Sequence, residues 1–296
     1  MKKLLLIMNP CAGQRRANRH LADIIALFNR KGYLVTAAMT AARGDGIRLV
    51  RELGAGMDLI VCIGGDGTFN ETITGLLSAG LDIPLGYIPA GSTNDFANSL
   101  KLPTDIRKAA EAIAEGKPVA YDVGRFAHRN FSYVASFGLF TKTSYSTPQP
   151  LKNALGHIAY LLAGISELGQ IPSYHVKFET DNGTVEGDYL FGAISNSTSV
   201  GGILTLDPNV VDMADGKFEL LLARKPKNAA ELAECLHCLT VQKYNCAMIT
   251  FLTCSKLHIT ADPAMVWTLD GEREDGHASI EVENLHLAIR LMKKES

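Results

Sequence analysis

The first 122 residues alternate between short apolar runs and segments in which apolar residues recur at helical spacing. The apolar runs occupy residues 4–8, 34–39, 58–63 and 85–88. The amphipathic segments between them are residues 16–31, 47–53 and 69–79. Wholly apolar strands separated by helices are typical of a parallel sheet that is covered on both faces. The pattern therefore predicts a doubly wound α/β domain, in which ligands bind where the carboxyl ends of the strands lead into the helices.

Short strands separated by turns dominate the rest of the chain. The predicted strands are residues 131–137, 175–180, 188–195, 218–223, 257–260, 266–269 and 279–283. Two helices are predicted at residues 151–168 and 229–241. Asn228 and Glu231 form a capping pair for the second helix, and Asp270-Gly271 is one of several turn sequences between strands. This pattern predicts a β-rich, sandwich-like second domain.

The length of 296 residues is sufficient for two domains. We expect the α/β domain to span residues 1–124 and the β-rich domain to span residues 125–284. Residues 285–296 are expected to form a C-terminal strand, for which packing back on the first domain is one option.

The charge is balanced, which excludes several classes of partner. The chain has 29 Lys and Arg against 31 Asp and Glu, and neither domain carries an excess of basic residues that would indicate nucleic-acid binding. No run of residues approaches the ~20 apolar positions that a membrane-spanning helix requires. The apolar start of the chain is too short for a signal peptide and is interpreted as a strand. We therefore expect a cytoplasmic protein with reduced cysteines.

A glycine-rich loop directly follows the third apolar run, and it consists of Gly64, Gly65, Asp66, Gly67 and Thr68. Glycines permit a positive φ and close approach of the backbone to a ligand, and the amides of such a turn before a helix bind phosphate well. A carboxylate beside phosphates repels them unless a cation bridges the two groups. Asp66 therefore indicates a cation. The alternative is a tight turn with Thr68 and Glu71 as a capping box, which leaves Asp66 unexplained.

Two more polar loops follow apolar strands on the same predicted sheet edge. One contains Asn9, and the other contains Ser92, Thr93, Asn94 and Asp95. Each loop alone could be no more than a helix cap. Three such strand exits on one edge together favour a phosphate-binding site.

Four sequence motifs, taken together, resemble the bacterial diacylglycerol kinase family. They are Asn-Pro-x-Ala-Gly, Gly-Gly-Asp-Gly-Thr-x-Asn-Glu, Pro-x-Gly-Ser-Thr-Asn-Asp-Phe-Ala and Leu-Asp-Gly-Glu, and they extend from Asn9 to Glu272. Sphingosine kinases are similar in the core motif, and NAD kinases and phosphofructokinases share Gly-Gly-Asp-Gly. The Asn-Asp-Phe-Ala and Leu-Asp-Gly-Glu segments favour the lipid kinases.

The resemblance implies an enzyme that transfers the γ-phosphate of ATP to a hydroxyl of diacylglycerol or a similar lipid. The nucleotide is expected between two lobes, in contact with Asn9, Thr40, Gly64, Gly65, Asp66, Gly67, Thr68, Asn70 and Ser92. Asp66 and Asp95 are expected to organise the phosphates through Mg²⁺ and water, and Glu272 to act as general base. Without the resemblance, Asp270-Gly271 is a hairpin turn and Glu272 is a solvated turn residue.

A second magnesium ion, away from the phosphates, is implied by resemblance at residues 212–217. The ligands would be the carboxylate of Asp215 and the backbone carbonyls of Asp212 and Lys217, and hard oxygen ligands suit this ion. An ordinary acidic turn before a strand is the alternative.

Two departures from the family pattern leave other functions open. Gln14 and Asn98 stand where related kinases often have basic residues, which reduces the positive charge near the expected phosphates. A kinase for another acceptor (a sphingosine-like lipid, NAD or a sugar) and a catalytically silent nucleotide-binding regulator therefore remain alternatives. The expected partner is a lipid at the membrane surface, reached by peripheral contact, and a homodimer is one option for assembly.

A cluster of cysteines, Cys235, Cys238 and Cys246 with His237, invites a zinc interpretation. A second paired set of ligands is missing, and the cluster lies within a helical pattern. We therefore interpret these residues as buried structural thiols.

Overall fold

The computed structural model describes residues 1–138, 172–200, 204–207, 209–242, 244 and 246–294. The chain forms two compact units. Unit 1 consists of Met1–Val123 and His286–Ser296, and unit 2 consists of Gly124–Leu285. In the described part of the chain, no helix is long and apolar enough to cross a membrane.

Unit 1 is built on a parallel sheet. Its first four strands are β1 (Lys2–Met8), β2 (Tyr33–Met39), β3 (Leu59–Gly64) and β4 (Leu85–Pro89). The spatial order is β4-β3-β1-β2, with all pairs parallel. β3 and β4 are buried along their whole length, which is the reason that their sequences are wholly apolar.

Helices connect these strands. They are a 3₁₀ helix (Ala12–His20), α1 (Leu21–Arg30), α2 (Asp45–Leu53), α3 (Asp66–Ser78), α4 (Asp95–Ser99) and α5 (Ile106–Glu115). The helix predicted at residues 16–31 is thus divided between a 3₁₀ and an α segment. α5 was not predicted, and it packs Ala109, Ala110 and Ile113 into the core of unit 1.

Unit 2 is built from antiparallel strands. The strands from β5 onward are β5 (Lys117–Phe126), β6 (Arg129–Phe131), β7 (Val134–Gly138), β8 (Tyr174–Thr180), β9 (Gly183–Ser195), β10 (Ser199–Val200), β11 (Leu204–Thr205), β12 (Phe218–Arg224), β13 (Ile249–Cys254), β14 (Lys256–Ala261), β15 (Trp267–Leu269), β16 (Glu272–Glu274) and β17 (Ser279–Lys293). Helix α6 (Ala229–Thr240) precedes β13. Two strands belong to both units: β5 starts in unit 1 and continues into unit 2, and β17 starts in unit 2 and continues into unit 1. In unit 1, Leu291 of β17 pairs in parallel with Leu85.

The sheet of unit 2 encloses an aromatic core. Its strand order is β16-β15-β7-β9-β8-β14-β17, and β12 pairs with β9 and β13. Trp267 lies with its ring centroid 4.9 Å from those of Phe126 and Phe137. Such aromatic pairs bury large apolar areas, which stabilises a sheet that alternates inward and outward side chains.

The predicted fold class, α/β followed by a β-rich domain, is confirmed. Two details of the strand prediction were wrong. Residues 131–137 form two strands, β6 and β7, and the segments 279–283 and 285–291 form the single strand β17. The second predicted helix is confirmed as α6, in which the Asn228 side chain accepts a hydrogen bond from the amide of Glu231. The helix predicted at residues 151–168 lies outside the described residues.

Candidate active site

Asn9 connects the end of β1 to the start of α3. Its side-chain oxygen accepts a hydrogen bond from the amide of Cys11 at 2.9 Å, and its side-chain nitrogen donates to Thr68 Oγ1 at 3.2 Å. The backbone amide of Asn9 also donates to the carbonyl of Ile63, at 2.9 Å. The structure thus brings together the first polar loop and the glycine-rich loop, as the parallel-sheet argument predicts.

The glycine-rich loop is tight because its glycines approach other atoms closely. A Cβ on Gly64 would lie 2.6 Å from Cβ of Thr68, and a Cβ on Gly65 would lie 3.2 Å from Cα of Gly91. Gly65 has φ −87°, so a positive φ is not what requires glycine at this position. α3 begins at Asp66, three residues before the predicted start at Phe69.

The carboxylate of Asp66 holds the start of α4. It accepts hydrogen bonds from the amides of Asp95 at 3.1 Å and Phe96 at 3.3 Å. The hydroxyls of Thr93 and Tyr87 donate to it over longer distances, 3.4 and 3.5 Å. Asp66 is only 7% exposed, and these donors orient its carboxylate. This contact gives Asp66 a structural role that the sequence did not reveal.

The capping-box alternative for this loop is wrong. α3 has no side-chain cap at its N-terminus, and Glu71 instead accepts hydrogen bonds from the amides of Gly44 at 2.7 Å and Gly46 at 2.9 Å. Glu71 therefore fixes the start of α2. Thr40, a predicted nucleotide contact, is half-buried just before this segment, and its amide donates to the carbonyl of Met8.

A third carboxylate holds backbone amides next to Thr40. Asp45 accepts hydrogen bonds from the amides of Ala41 at 2.7 Å and Ala42 at 2.9 Å. These two amides, followed by Arg48, lower the pKa of the Asp45 carboxyl below its ordinary value. The segment after β2 is therefore fixed by its own side chains.

The second polar loop is stabilised by its two asparagines. Asn94 has φ +51°, and its side chain accepts from the amide of Gly91 and donates to the carbonyl of the same residue. Asn98 donates to the carbonyl of Thr93 at 2.8 Å. Asn98 thus holds the loop backbone at the position where the family pattern has a basic residue. Asp95 is buried at the start of α4, whereas Ser92 is exposed.

Asp270 belongs to the Leu-Asp-Gly-Glu motif, in unit 2. Asp270 and Gly271 both have positive φ, +49° and +81°, which suits the two-residue hairpin between β15 and β16. The hairpin turn predicted here is therefore confirmed. The buried carboxylate of Asp270 accepts from the amide and hydroxyl of Ser132 at 2.6 and 2.7 Å, and from the amides of Tyr133 and Val134.

Burial raises the pKa of the Asp270 carboxyl, while the hydrogen bonds from Ser132, Tyr133 and Val134 act in the opposite direction. Ser132 and Tyr133 lie between β6 and β7, and Val134 is the first residue of β7, so the bonds to Asp270 fall at the separation between the two strands. The separation accounts for the error in the strand prediction at residues 131–137.

Glu272 follows this turn and is held by an arginine. Its side chain is 37% exposed, and its Oε2 lies 3.0 Å from Nη2 of Arg129. The other Arg129 nitrogen, Nη1, pairs with Glu274. Glu272 is therefore a partly exposed carboxylate that an ion pair orients, at the first position of β16. The sequence did not indicate Arg129, which precedes Glu272 by 143 residues.

The predicted second magnesium site lies in a turn stabilised by its own carboxylates. Asp212 accepts from the amide of Ala214 at 3.0 Å, and Asp215 accepts from the amide of Lys217 at 2.9 Å. The carbonyl of Lys217, a predicted ligand, accepts a hydrogen bond from Asn284 at 3.0 Å.

A buried carboxylate faces this turn. Glu219 is 1% exposed, and among the described residues its Oε2 has no hydrogen-bond partner. Burial raises its pKa to about 8, and the charges of Asp215 and Asp212 add to the effect. An orphaned carboxylate oxygen beside two more carboxylates fits a hard divalent cation. A charged residue within the buried sequence of β12 was the available signal for Glu219.

Comparison with known proteins agrees with these observations. Residues 3–126 match the model of the diacylglycerol kinase catalytic domain. A diacylglycerol kinase from Bacillus subtilis (strain 168) is 32% identical over 274 residues, which are 92% of this chain and 90% of that protein. A diacylglycerol kinase from Staphylococcus saprophyticus is 34% identical over 241 residues, 81% of this chain and 77% of that protein.

The fold is also shared with a solved structure from Bacillus anthracis. The TM-score is 0.81 at 22% identity, over 99% of this chain and 97% of the other. The protein thus has an α/β unit and a β-rich unit, and hydrogen bonds connect the polar loops that follow the parallel strands of the α/β unit. With the sequence relatives, this shows that the chain belongs to the diacylglycerol kinase family, and the resemblance identified from the motifs is confirmed.

Proposed function

We propose that this protein is an ATP-dependent lipid kinase that phosphorylates a hydroxyl of diacylglycerol or a similar lipid. The observation that carries the proposal is that hydrogen bonds connect the three polar loops that follow β1, β3 and β4 in unit 1. Asn9 bonds to Thr68, and Asp66 bonds to the amides that begin α4. Loops at the carboxyl ends of parallel strands are where such sheets bind ligands, and helix N-termini there favour phosphate.

Apart from Asp66, whose carboxylate holds the start of α4, the nucleotide is proposed to contact the residues inferred from the family pattern. These are Asn9, Thr40, Gly64, Gly65, Gly67, Thr68, Asn70 and Ser92. The close packing of Gly64 on Thr68 and of Gly65 on Gly91 supports this assignment, since it holds together two of the loops that would contact the nucleotide. Bound Mg²⁺ would neutralise charge on the phosphates. Asp95 is proposed to act near that ion, and Asp66 to position Asp95 through its backbone amide.

Glu272 is proposed as the general base. The lipid hydroxyl gives its proton to the Glu272 carboxylate, its oxygen forms a bond to the γ-phosphorus, and the bond from that phosphorus to ADP breaks. Arg129 would orient the carboxylate through the ion pair at 3.0 Å, and Asp270 would hold the hairpin on which Glu272 lies. Because the substrate is a lipid, we also propose transient peripheral contact with the bilayer surface.

The turn at residues 212–217 is proposed to bind a structural Mg²⁺ through the Asp215 carboxylate and the carbonyls of Asp212 and Lys217. The buried, unpartnered oxygen of Glu219 supports the proposal. Magnesium should raise the thermal midpoint of the wild type but not of Asp215→Asn. Asp262→Asn is the matched control, because Asp262 forms the same type of turn with the amide of Ala264. An equal response in all three proteins would exclude this site.

The acceptor is tested by phosphate transfer. Purified protein is incubated with γ-labelled ATP, Mg²⁺ and a total lipid extract in mixed micelles, and then with NAD and with sugars in the absence of lipid. The wild type and Asp105→Asn, an exposed helix-cap control, should label a lipid. Asp95→Asn should not. Label in NAD or a sugar would transfer the assignment to a water-soluble acceptor, and bound ATP without any transfer would favour a silent regulator.

A further inference from the structure

Three metal-ligating side chains meet at α6, in a part of unit 2 that the proposed kinase site does not use. The donor atoms of Glu234, Cys238 and Cys246 all lie within 4.8 Å of one another. The geometry points to a zinc site formed by the thiolates of Cys238 and Cys246 and the carboxylate of Glu234. None of these residues belongs to the predicted nucleotide contacts, to the Glu272 hairpin or to the turn at residues 212–217.

The helix accounts for two of the three ligands. Glu234 and Cys238 are four residues apart in α6, a spacing that places side chains on the same face. Cys246 lies between α6 and β13, where it forms a backbone bridge with Ile249. The sequence lacks the second paired set of ligands that is common in zinc sites. The structure brings one helical glutamate and one distant cysteine together instead.

The donor chemistry selects the metal. Thiolates favour zinc over Mg²⁺ and Ca²⁺, which prefer oxygen ligands. With Zn–S near 2.3 Å and Zn–O near 2.0–2.2 Å, tetrahedral ligands lie roughly 3.5–4 Å apart. Separations below 4.8 Å therefore need only a small contraction to hold the ion.

Burial suggests how the ion enters and what completes its coordination. Cys238 is buried, Cys246 is half-buried, and Glu234 is exposed, so the carboxylate side is open to solvent. Cys235 is also a buried thiol but does not belong to the donor group. The fourth position is left to water.

The ion would connect α6 to the segment that begins β13. All six cysteines of the chain are described, and none forms a disulfide. Binding to the folded chain stabilises it by mass action, so zinc removal should lower the thermal midpoint. The effect is structural and does not depend on lipid phosphorylation.

The test is metal content and cobalt spectroscopy of the full chain, purified under reducing conditions without chelator. The wild type and Cys11→Ser should bind about one zinc ion per chain, and Co²⁺ should give a thiolate-to-metal charge-transfer band. Cys11 is the control because it is an exposed thiol outside the cluster. Cys246→Ser and Cys238→Ser should lose the band, and Glu234→Gln should weaken zinc binding by about tenfold or more.

Circular dichroism checks that each variant is folded, and Glu234→Gln, at an exposed position, keeps the test valid if a cysteine variant unfolds. Zinc binding that is unchanged in Glu234→Gln and Cys246→Ser would overturn the proposal. Failure of the fully reduced wild type to bind zinc would also overturn it. A Cys238–Cys246 disulfide as the only reaction of the cluster, found by mass spectrometry, would assign these thiols to redox chemistry instead.

Discussion

Two buried aspartates, one in each unit, both accept hydrogen bonds from backbone amides of a distant segment, but the lengths of these bonds differ. Asp66 in unit 1 holds backbone amides 29 and 30 residues away, and Asp270 in unit 2 holds amides 136 to 138 residues away. The contacts of Asp270 begin at 2.6 Å, whereas those of Asp66 begin at 3.1 Å and include two long hydroxyl contacts. Asp270 therefore belongs to a tighter network.

In both motifs, the aspartate that holds the backbone is a different residue from the carboxylate for which a reactive role is proposed. Asp270 fixes the hairpin, and the reactive role is proposed for its neighbour Glu272, two residues later. Asp66 fixes the start of α4, and its partner Asp95 is itself a proposed site residue. Loss of Asp270 should therefore damage mainly stability, while loss of Asp66 should damage mainly function.

The largest effect on stability is expected for Asp270→Ala. The substitution leaves three amides and one hydroxyl without their acceptor in a buried site, which should reduce the free energy of unfolding by about 3 kcal/mol or more. Urea denaturation measures the change. Asp275→Ala is the control because Asp275 is exposed in the same region. Equal stability of the two variants would show that Asp270 does not anchor the hairpin.

A smaller loss of stability, of about 1–2 kcal/mol, is expected for Asp66→Ala, because its hydrogen bonds are longer. Phosphate transfer to lipid should nevertheless be abolished, since the start of α4 is no longer held. The exposed Asp82 provides the control Asp82→Ala. The comparison between the motifs fails if Asp66→Ala transfers phosphate at the wild-type rate, or if it destabilises the chain more than Asp270→Ala does.

Thr68→Val tests the hydrogen bond between the loop that contains Asn9 and the glycine-rich loop. The hydroxyl of Thr68 accepts from Asn9, and its removal should reduce ATP affinity by about tenfold, the equivalent of one hydrogen bond of ~1.4 kcal/mol. Thr72→Val is a matched control one turn later, where the hydroxyl bonds to the carbonyl of Thr68 and to the thiol of Cys62 and has no contact with Asn9. Calorimetric titration with ATP·Mg²⁺ should separate the two, and identical affinities would exclude Thr68 from the nucleotide site.

The smallest effect is expected for Asp45→Asn, which removes a half-buried carboxylate that also accepts hydrogen bonds from backbone amides. The pKa of Asp45 is lowered in the folded state, so its stabilising contribution is present above the unfolded pKa and is lost as pH falls through the folded value. The urea midpoints of wild type and variant should therefore differ slightly at pH 7 and converge in acid. A difference that persists below both pKa values would contradict this origin.

Local pattern was sufficient to predict much of unit 1. β3 is a wholly apolar run bounded by a turn, so its burial and the parallel sheet were predictable. The helix α5 was missed although its signals were present, because Asp105 caps it and Ala109, Ala110 and Ile113 recur on one face.

Long-range contacts account for the part of the site that could not be predicted. The pairing of Arg129 with Glu272 and the contact of Asp270 with Ser132 join residues more than 130 positions apart. No local periodicity encodes such pairs. The motif pattern indicated which segments matter, but not that Asp66 and Asp270 serve as anchors for backbone amides.

The most direct test of the proposed chemistry compares Glu272→Gln with Glu274→Gln. Both carboxylates pair with Arg129, so each variant loses one ion pair to the same arginine, and only Glu272→Gln removes the proposed base. With γ-labelled ATP and diacylglycerol in mixed micelles, Glu272→Gln should lose at least about 100-fold in kcat while ATP binding survives. Glu274→Gln should stay within about threefold of the wild type. Equal, near-wild-type turnover of both variants would contradict the assignment of Glu272 as the base.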